Sequence, residues 1–318
     1  MNSEFVHGVG ITVAAFVQAA AMLAVAPLLK TLIKKMKARL QNRQGPPLLQ
    51  GYYDLAKLLR KEPVRSETAS WIYVAGPRVY FAAALAATTL VPVWTAAAPL
   101  ESAGGILLLV GTLALGRFAL ATAALDTGSP FGGMGASRDM TIAALAEPAL
   151  MLGLFTSALA AGSMNLGALV RGLLDQGPSY HPSDLLAFAG LLIIVVAETG
   201  RIPVDNPATH LELTMIHEAM VLEYAGPDLA LVEWTAAVKE LLYLTLLIDL
   251  FMPLGIATSL APVPLLMSIV IWAAKVCGLA IIVTLIESMN AKLRLFRVPE
   301  LVSTSLGLAF LALAIRFL

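Results

Sequence analysis

Long uncharged runs alternate with short charged stretches along this chain. A bilayer span needs about 20 predominantly apolar residues. Eight runs meet or approach that length, at roughly 6–30, 71–97, 104–125, 140–163, 183–199, 230–257, 263–287 and 299–317. Several contain Pro, Gly or a charge, which membrane helices tolerate when they pack inside a bundle. No segment reads as a strand. The pattern predicts an all-α polytopic membrane protein: one integral domain over 1–318, with about eight transmembrane helices. No internal repeat is evident, so an inverted-repeat transporter gains no support.

Two polar stretches have an organisation of their own. Residues 31–70 form a basic loop, in which KTLIKKMKARLQNRQGPP ends on a Gly-Pro-Pro break. LLQGYYDLAKLLRKE follows and places Leu49, Tyr52, Ala56 and Leu59 on one helical face, the pattern of a helix lying in the membrane interface. Residues 198–229 form an acidic loop and helix. Four Glu and one Asp fall within ETGRIPVDNPATHLELTMIHEAMVLEYAG, directly after the uncharged run LLAFAGLLIIVVA. Pro203 and Pro207 hold 201–206 out of a helix. A helix is expected from Ala208 onward, with Glu212, Ala219 and Glu223 sharing a face. A third loop, LDTGSPFGGMGASRD (125–139), predicts a tight, glycine-permitted turn.

Composition agrees with a bilayer setting. Only 13% of residues are charged, against roughly 25% in soluble domains, and mean hydropathy is +0.82. The formal net charge is zero, but its distribution is uneven. Lys30 and the nine Lys and Arg of the first loop lie on one side, with Arg138, Arg201, Lys292, Arg294 and Arg297 in the third, fifth and seventh loops. The other side has only Arg171 and Arg316. By the positive-inside rule the odd loops are cytoplasmic and both termini lie outside. No Lys or Arg precedes Lys30, so the first run is expected to be a retained span and not a signal peptide. Cys277 is the one cysteine. It excludes an internal disulfide and a four-cysteine iron–sulfur or zinc site built by this chain alone.

Ionisable residues within the spans are costly and usually face a bundle interior. Arg117, Glu147, Glu233, Lys239, Glu240, Asp249, Lys275 and Glu287 are such residues. Each has a plain reading as one half of a buried pair; together they suit a proton relay. Glu147 stands out in AALAEPALMLG, where nothing nearby in sequence pairs with it. Arg138 lies two turns before it and extends the same polar lining. His217-Glu218 begins like a zinc-protease motif, but Val221 stands where the second His belongs. The glycine-rich loop has no Lys-Ser/Thr and no preceding strand, so a nucleotide loop is excluded.

Taken in order, ARLQNRQGPPLLQGYYDLAKLL, Glu147, ETGRIPVD and AKLRLFRVPEL resemble complex I subunit 1, the H-type membrane component of NADH–quinone oxidoreductases. The resemblance covers essentially the whole chain. After Pro207 the quinone-reducing members have closely spaced acids, whereas here Ala208, Thr209 and His210 precede Glu212. That departure, with DTGSPFGGMGASRD, is similar to the branch found in energy-converting nickel–iron hydrogenases, of the formate hydrogenlyase subunit 4 and hydrogenase-4 component C type.

The resemblance implies a non-catalytic subunit of an oxidoreductase complex, without a redox centre of its own. It would anchor a redox arm and relay protonation changes into the bacterial or archaeal cytoplasmic membrane. Glu198, Arg201, Asp205, Glu212 and Glu223 would line a cavity under the arm, and Glu147 would carry protonation changes inward. Arg138, Lys239, Glu240, Asp249 and Lys275 complete the expected relay. Arg39, Arg43, Arg294 and Arg297 would dock the arm. No metal or cofactor is expected from this chain. A nickel–iron centre and iron–sulfur clusters are expected in partners: hydrogenase large and small subunits, iron–sulfur proteins and antiporter-like membrane subunits, with no nucleic acid. A quinone-site subunit of a complex I-type enzyme and an autonomous cation channel or transporter stay open as alternatives.

Overall fold

The computed structural model describes residues 2–66, 68–96, 105–177, 181–205, 215–259 and 261–317. Its helices are α1 (Asn2–Leu40), α2 (Gln50–Leu59), α3 (Trp71–Leu90), α4 (Ile106–Asp126), α5 (Pro130–Ala161), α6 (Leu166–Gln176), α7 (Pro182–Glu198), α8 (His217–Val221), α9 (Gly226–Phe251), α10 (Pro262–Met289) and α11 (Val298–Phe317). A 3-10 turn, Leu295–Arg297, precedes α11. Each predicted apolar run is occupied by a long helix. Strands are absent among the described residues, where β-pairing is limited to the isolated bridges Thr95–Ala257 and Gly105–Asn165.

The chain is an all-α membrane protein. Among the described residues, five stretches are long and apolar enough to cross a bilayer: Ala15–Leu40, Ile106–Asp126, Pro130–Ala161, Pro262–Met289 and Leu295–Phe317. α7 falls short with 17 residues. α9 carries Asp228, Glu233, Lys239, Glu240 and Asp249. Its position compensates for that charge: every residue from Ala237 to Leu250 is buried, so its polar groups meet other helices and not lipid.

Small residues set the helix spacing, as is common where lipid offers no hydrophobic drive between helices. α3 and α4 meet at Gly76 and Gly116, and α7 meets α11 at Gly190, whose carbonyl accepts a 2.7 Å hydrogen bond from Ser305. A Cβ on Gly76 would come 2.4 Å from the Cβ of Ala123. Gly76→Ala is therefore expected to overpack this contact and cost about 1–3 kcal/mol. A lowered thermal transition of the purified protein in detergent checks it; an unchanged transition contradicts the close packing.

Consecutive long helices run antiparallel, so the charged loops gather at one end, the loop end. There Ser70 donates its backbone N–H to Asp126 at 2.7 Å, and the Leu293 N–H donates to the Pro203 carbonyl at 2.9 Å. Arg65 and Arg78 reach Asp228 at 3.3 and 3.4 Å. Gly226, at φ 59°, sits where a Cβ would meet the Glu62 carbonyl at 2.8 Å. At the far end Gln18 donates to the Thr88 and Val91 carbonyls, and Arg316 lies 4.0 Å from Asp184. The beginning of α1 and the end of α11 thus share the far end.

The boundaries depart from the sequence reading in three places. α1 continues through residues 34–39 to Leu40, so the basic stretch begins as helix and not as loop. α5 begins at Pro130, so the glycine-rich segment is mostly helical, and the turn shrinks to 127–129 with Gly128 at φ 67°. The glycines serve packing: a Cβ on Gly132 would sit 2.5 Å from the Ala124 carbonyl, and one on Gly135 would sit 2.9 Å from Ala219 and Met220 of α8. The helix expected from Ala208 is described only as α8, which ends at Val221; residues 206–214 lie outside the described residues. In α2 the inward side is Gly51, Tyr52, Leu55 and Leu58, while Leu49, Ala56 and Leu59 stay exposed.

Candidate functional site

The ETGRIPVD segment builds the upper wall of the site. α7 buries Ala187, Leu191 and Ile194 on one face, and Glu198 continues that face at its last turn. Gly200, at φ 59°, reverses the chain, and the Arg201 N–H returns to the Val196 carbonyl at 3.1 Å. This left-handed stop is what glycine permits. It points Glu198 down into the bundle and Arg201 sideways toward α9 and α10.

Arg117 of α4 is the hub. Its side chain is 9% exposed. It pairs with Glu198 of α7, and lies 3.3 Å from Glu147 and 3.8 Å from Asp139, both on α5. Lys239 of α9 lies 3.6 Å from Glu198 and over the rings of Tyr80 and Tyr243, at 5.6 and 6.0 Å. The Tyr243 hydroxyl donates to Glu198 at 3.1 Å. With all groups ionised, this cluster holds three carboxylates against two cations. A surplus charge in a low-dielectric interior is expensive, and a proton on one carboxyl removes it.

Neighbouring clusters balance. Arg201 pairs with Glu240 and, at 3.1 Å, with Glu287; Lys37 meets Glu287 at 2.7 Å. Lys292 lies 3.2 Å from Asp205, which also accepts the backbone N–H groups of Ile216 and His217 at 3.1 and 3.2 Å. Lys30 meets Glu233 at 2.5 Å. These sets hold one cation for each acid named, whereas the Arg117 cluster holds three acids against two cations.

A cavity of about 30 Å³ lies between this cluster and the loop end, lined by Arg117, Asp139, Glu198, Asp205, His217 and Lys239 among others. That is room for about two waters. Small-ligand sites are about 300–1,000 Å³. The segment roofing it is pinned by Tyr224, which stacks on Tyr73 at 4.4 Å and donates to the Tyr73 carbonyl at 3.3 Å. Burial pushes the Tyr224 hydroxyl above its ordinary pKa, so it remains a donor.

The sequence-predicted residues do not all come together. Glu147, Glu198, Arg201, Asp205, Lys239 and Glu240 come together around the cavity and the adjoining pairs. Arg138 turns away and donates to the Met215 carbonyl at 2.8 Å, holding the roof and not lining the path. Glu223 follows the end of α8 and is exposed, away from the cavity. Glu212 lies outside the described residues.

Asp249 and Lys275 lie apart from the rest. Asp249 lies about 15 Å further along α9, is 1% exposed, and has no hydrogen-bond partner among the described residues on either oxygen. Lys275 donates to the Met252 carbonyl at 2.5 Å and to that of Leu254, capping α9. The four docking arginines, Arg39, Arg43, Arg294 and Arg297, are all exposed at the loop end.

The sequence marks Arg117 and Glu287 as span charges suited to a relay without giving their partners, and it carries no comparable signal for Asp139, Tyr80 and Tyr243. Asp139 and Glu147 are eight residues apart and share a face of α5, a signal available only once α5 is known to begin at Pro130.

A family model described as NADH dehydrogenase matches residues 12–317. Formate hydrogenlyase subunit 4 of Escherichia coli is 33% identical over 296 residues, 93% of this chain and 95% of that protein. Hydrogenase-4 component C of Escherichia coli is 32% identical over 300 residues, 94% of this chain and 93% of that protein. The H-type component of the NADH-quinone oxidoreductase of Salinibacter ruber is 27% identical over 222 residues, 67% of this chain and 64% of that protein. Among solved structures, a chain of the membrane-bound sulfane sulfur reductase, an archaeal respiratory membrane complex, shares the fold. Its TM-score is 0.83 at 18% identity, covering 96% of this chain and 99% of that one.

Proposed function

This chain belongs to the NADH dehydrogenase family, of the complex I subunit 1 type, and from that premise we propose that it is the membrane-anchor and proton-coupling subunit of a formate hydrogenlyase or hydrogenase-4-like complex. It has eight spans in the cytoplasmic membrane, both termini outside, and α2 lying in the interface. The loop end faces the cytoplasm and carries the redox arm, with its hydrogenase large and small subunits and iron–sulfur proteins.

The carrying observation is the Arg117 cluster, with three acids against two cations directly beneath the roof. A change of charge in the arm above shifts the proton held at Glu147. Glu147 hands that proton toward antiporter-like subunits, and Asp249 gives a further protonation point toward the far end. The small cavity supports a relay through water over a bound quinone. The chain itself supplies no redox centre.

Two experiments test this reading. Purifying the complex through a tag on α11 should bring down a large subunit with paired CxxC motifs near both ends, and nickel. A lone chain or homo-oligomer would instead mark an autonomous channel or transporter. The docking surface is tested at Phe296, which is 88% exposed between Arg294 and Arg297. An aromatic side chain flanked by arginines suits an interface anchor. Phe296→Ala should weaken arm retention by about 2 kcal/mol or more, read as loss of the soluble subunits on gel filtration while the membrane subunit stays folded. Full retention would remove Phe296 from the interface.

A second reading is favoured by one observation. A cleft of about 430 Å³ opens between α1, α2 and α9, lined by Pro27, Lys30, Asp54, Leu55, Leu58 and Glu233 among others. That space suits a quinone-site subunit. Photolabelling with an azido-quinone decides: label on α1 or α2 supports this second reading, and its absence in active complex supports the first.

A further inference from the structure

Two concavities meet at the loop end of α1, and they differ in character. The first is a groove of about 500 Å³ between α1 and α10, walled by Leu32, Met36, Leu40, Ile281 and Leu285. Leu40, Ile281 and Leu285 are exposed, so the groove opens outward from the bundle toward hydrocarbon. The second is a pocket of about 650 Å³ formed by Lys35, Arg39, Arg43 and the segment 42–47. Lys35 and Arg39 belong to both.

The pocket is built by the backbone. Asn42 and Gly45, at φ 57° and 70°, double the chain back on α1. A Cβ on Gly45 would sit 3.0 Å from that of Ala38 and 3.2 Å from the Cα of Lys35, so the segment is pressed against the helix. The ion pair between Lys37 and Glu287, at 2.7 Å, fixes α1 and α10 at the same height. Of the other cations on α1, Lys30 and Lys37 have acidic partners. Among the described residues Lys35, Arg39 and Arg43 make no ion pair with an acid.

We propose that this composite site holds an anionic phospholipid, with its phosphate on Lys35 and Arg39 and its acyl chains along the α1–α10 groove. Charge and shape both favour this occupant. An apolar, outward-facing groove accepts acyl chains. Its upper end carries two unneutralised cations at the level where basic residues meet anionic headgroups. The long Lys and Arg stems lie along apolar surface while their heads reach the interface. The inference rests on the membrane setting of α1 and α10 and not on the proton relay. It moves Arg39 from the arm-facing set to the lipid-facing one.

The test uses the intact purified complex, delipidated in mild detergent and incubated with phosphatidylglycerol or with phosphatidylcholine. Retained lipids are counted by native mass spectrometry. Wild type should retain one more phosphatidylglycerol than the double variant Lys35→Gln/Arg39→Gln, whose retention at that site should be about 25-fold weaker for two cations near an anionic headgroup. Ile281→Trp, which fills the groove without touching the charges, should lose the same lipid. Phosphatidylcholine should not substitute. Equal phosphatidylglycerol counts in wild type and both variants overturn the proposal. So does a double variant that sheds a protein subunit while its lipid count is unchanged, because the groove is then a protein interface.

Discussion

Replacing Arg117 with Leu is expected to cost about 3–5 kcal/mol, the usual penalty for removing one partner of a buried ion pair. The reason is specific to this cluster. Arg117 is the group that touches Glu198, Glu147 and Asp139 together. Without it, Lys239 faces three carboxyls alone and reaches Glu198 at 3.6 Å. Against a total stability of about 5–15 kcal/mol, the loss should show as a lowered thermal transition, poor monodispersity and reduced membrane accumulation. Arg117→Lys keeps the charge but lacks the planar fork that spans several acids, so it should fall between wild type and Leu. A wild-type transition for Arg117→Leu would mean that the cluster is not the keystone of the α4–α5–α7 contact.

Glu147→Gln should behave in the opposite way. It removes the surplus acid and leaves Glu198 and Asp139 against Arg117 and Lys239, two against two. The amide keeps the size of the carboxyl and can still accept a hydrogen bond from Arg117. Folding and assembly are therefore expected to survive. What the amide cannot do is take up and release a proton. Redox turnover should continue slowly or stall, and ion translocation should be lost. The two variants thus separate structure from coupling: loss of Arg117 should loosen the site, and loss of the Glu147 carboxyl should abolish coupling while the site stays intact.

The all-α fold is largely legible because apolar runs announce themselves by length and hydropathy: a helix occupies each of the eight, and among the described residues five stretches are long and apolar enough to cross a bilayer. The boundaries were less so. Lys34, Lys35 and Lys37 read as loop, yet α1 carries them as helix: Lys34 is exposed, Lys35 is half-buried and Lys37 pairs with Glu287 of α10. Gly132 and Gly135 read as a turn, yet they are helical glycines placed where Ala124 and α8 approach too closely for a side chain. In the site, Glu147 and the ETGRIPVD residues could be singled out by polarity alone. Their partners could not, because Arg117, Lys239 and Tyr243 come from helices far apart in sequence. Glu223 shows the reverse error: a helical face extrapolated through α8 ends at Val221, and the residue faces outward.

The central claim is that a proton shared in the Arg117 cluster couples the redox arm to the membrane. The most direct measurement is proton translocation by the complete complex in sealed proteoliposomes, wild type against Glu147→Gln, with assembly checked on the same preparation. The account predicts an assembled complex whose turnover no longer drives a pH gradient. An assembled Glu147→Gln complex that pumps as wild type does would contradict it.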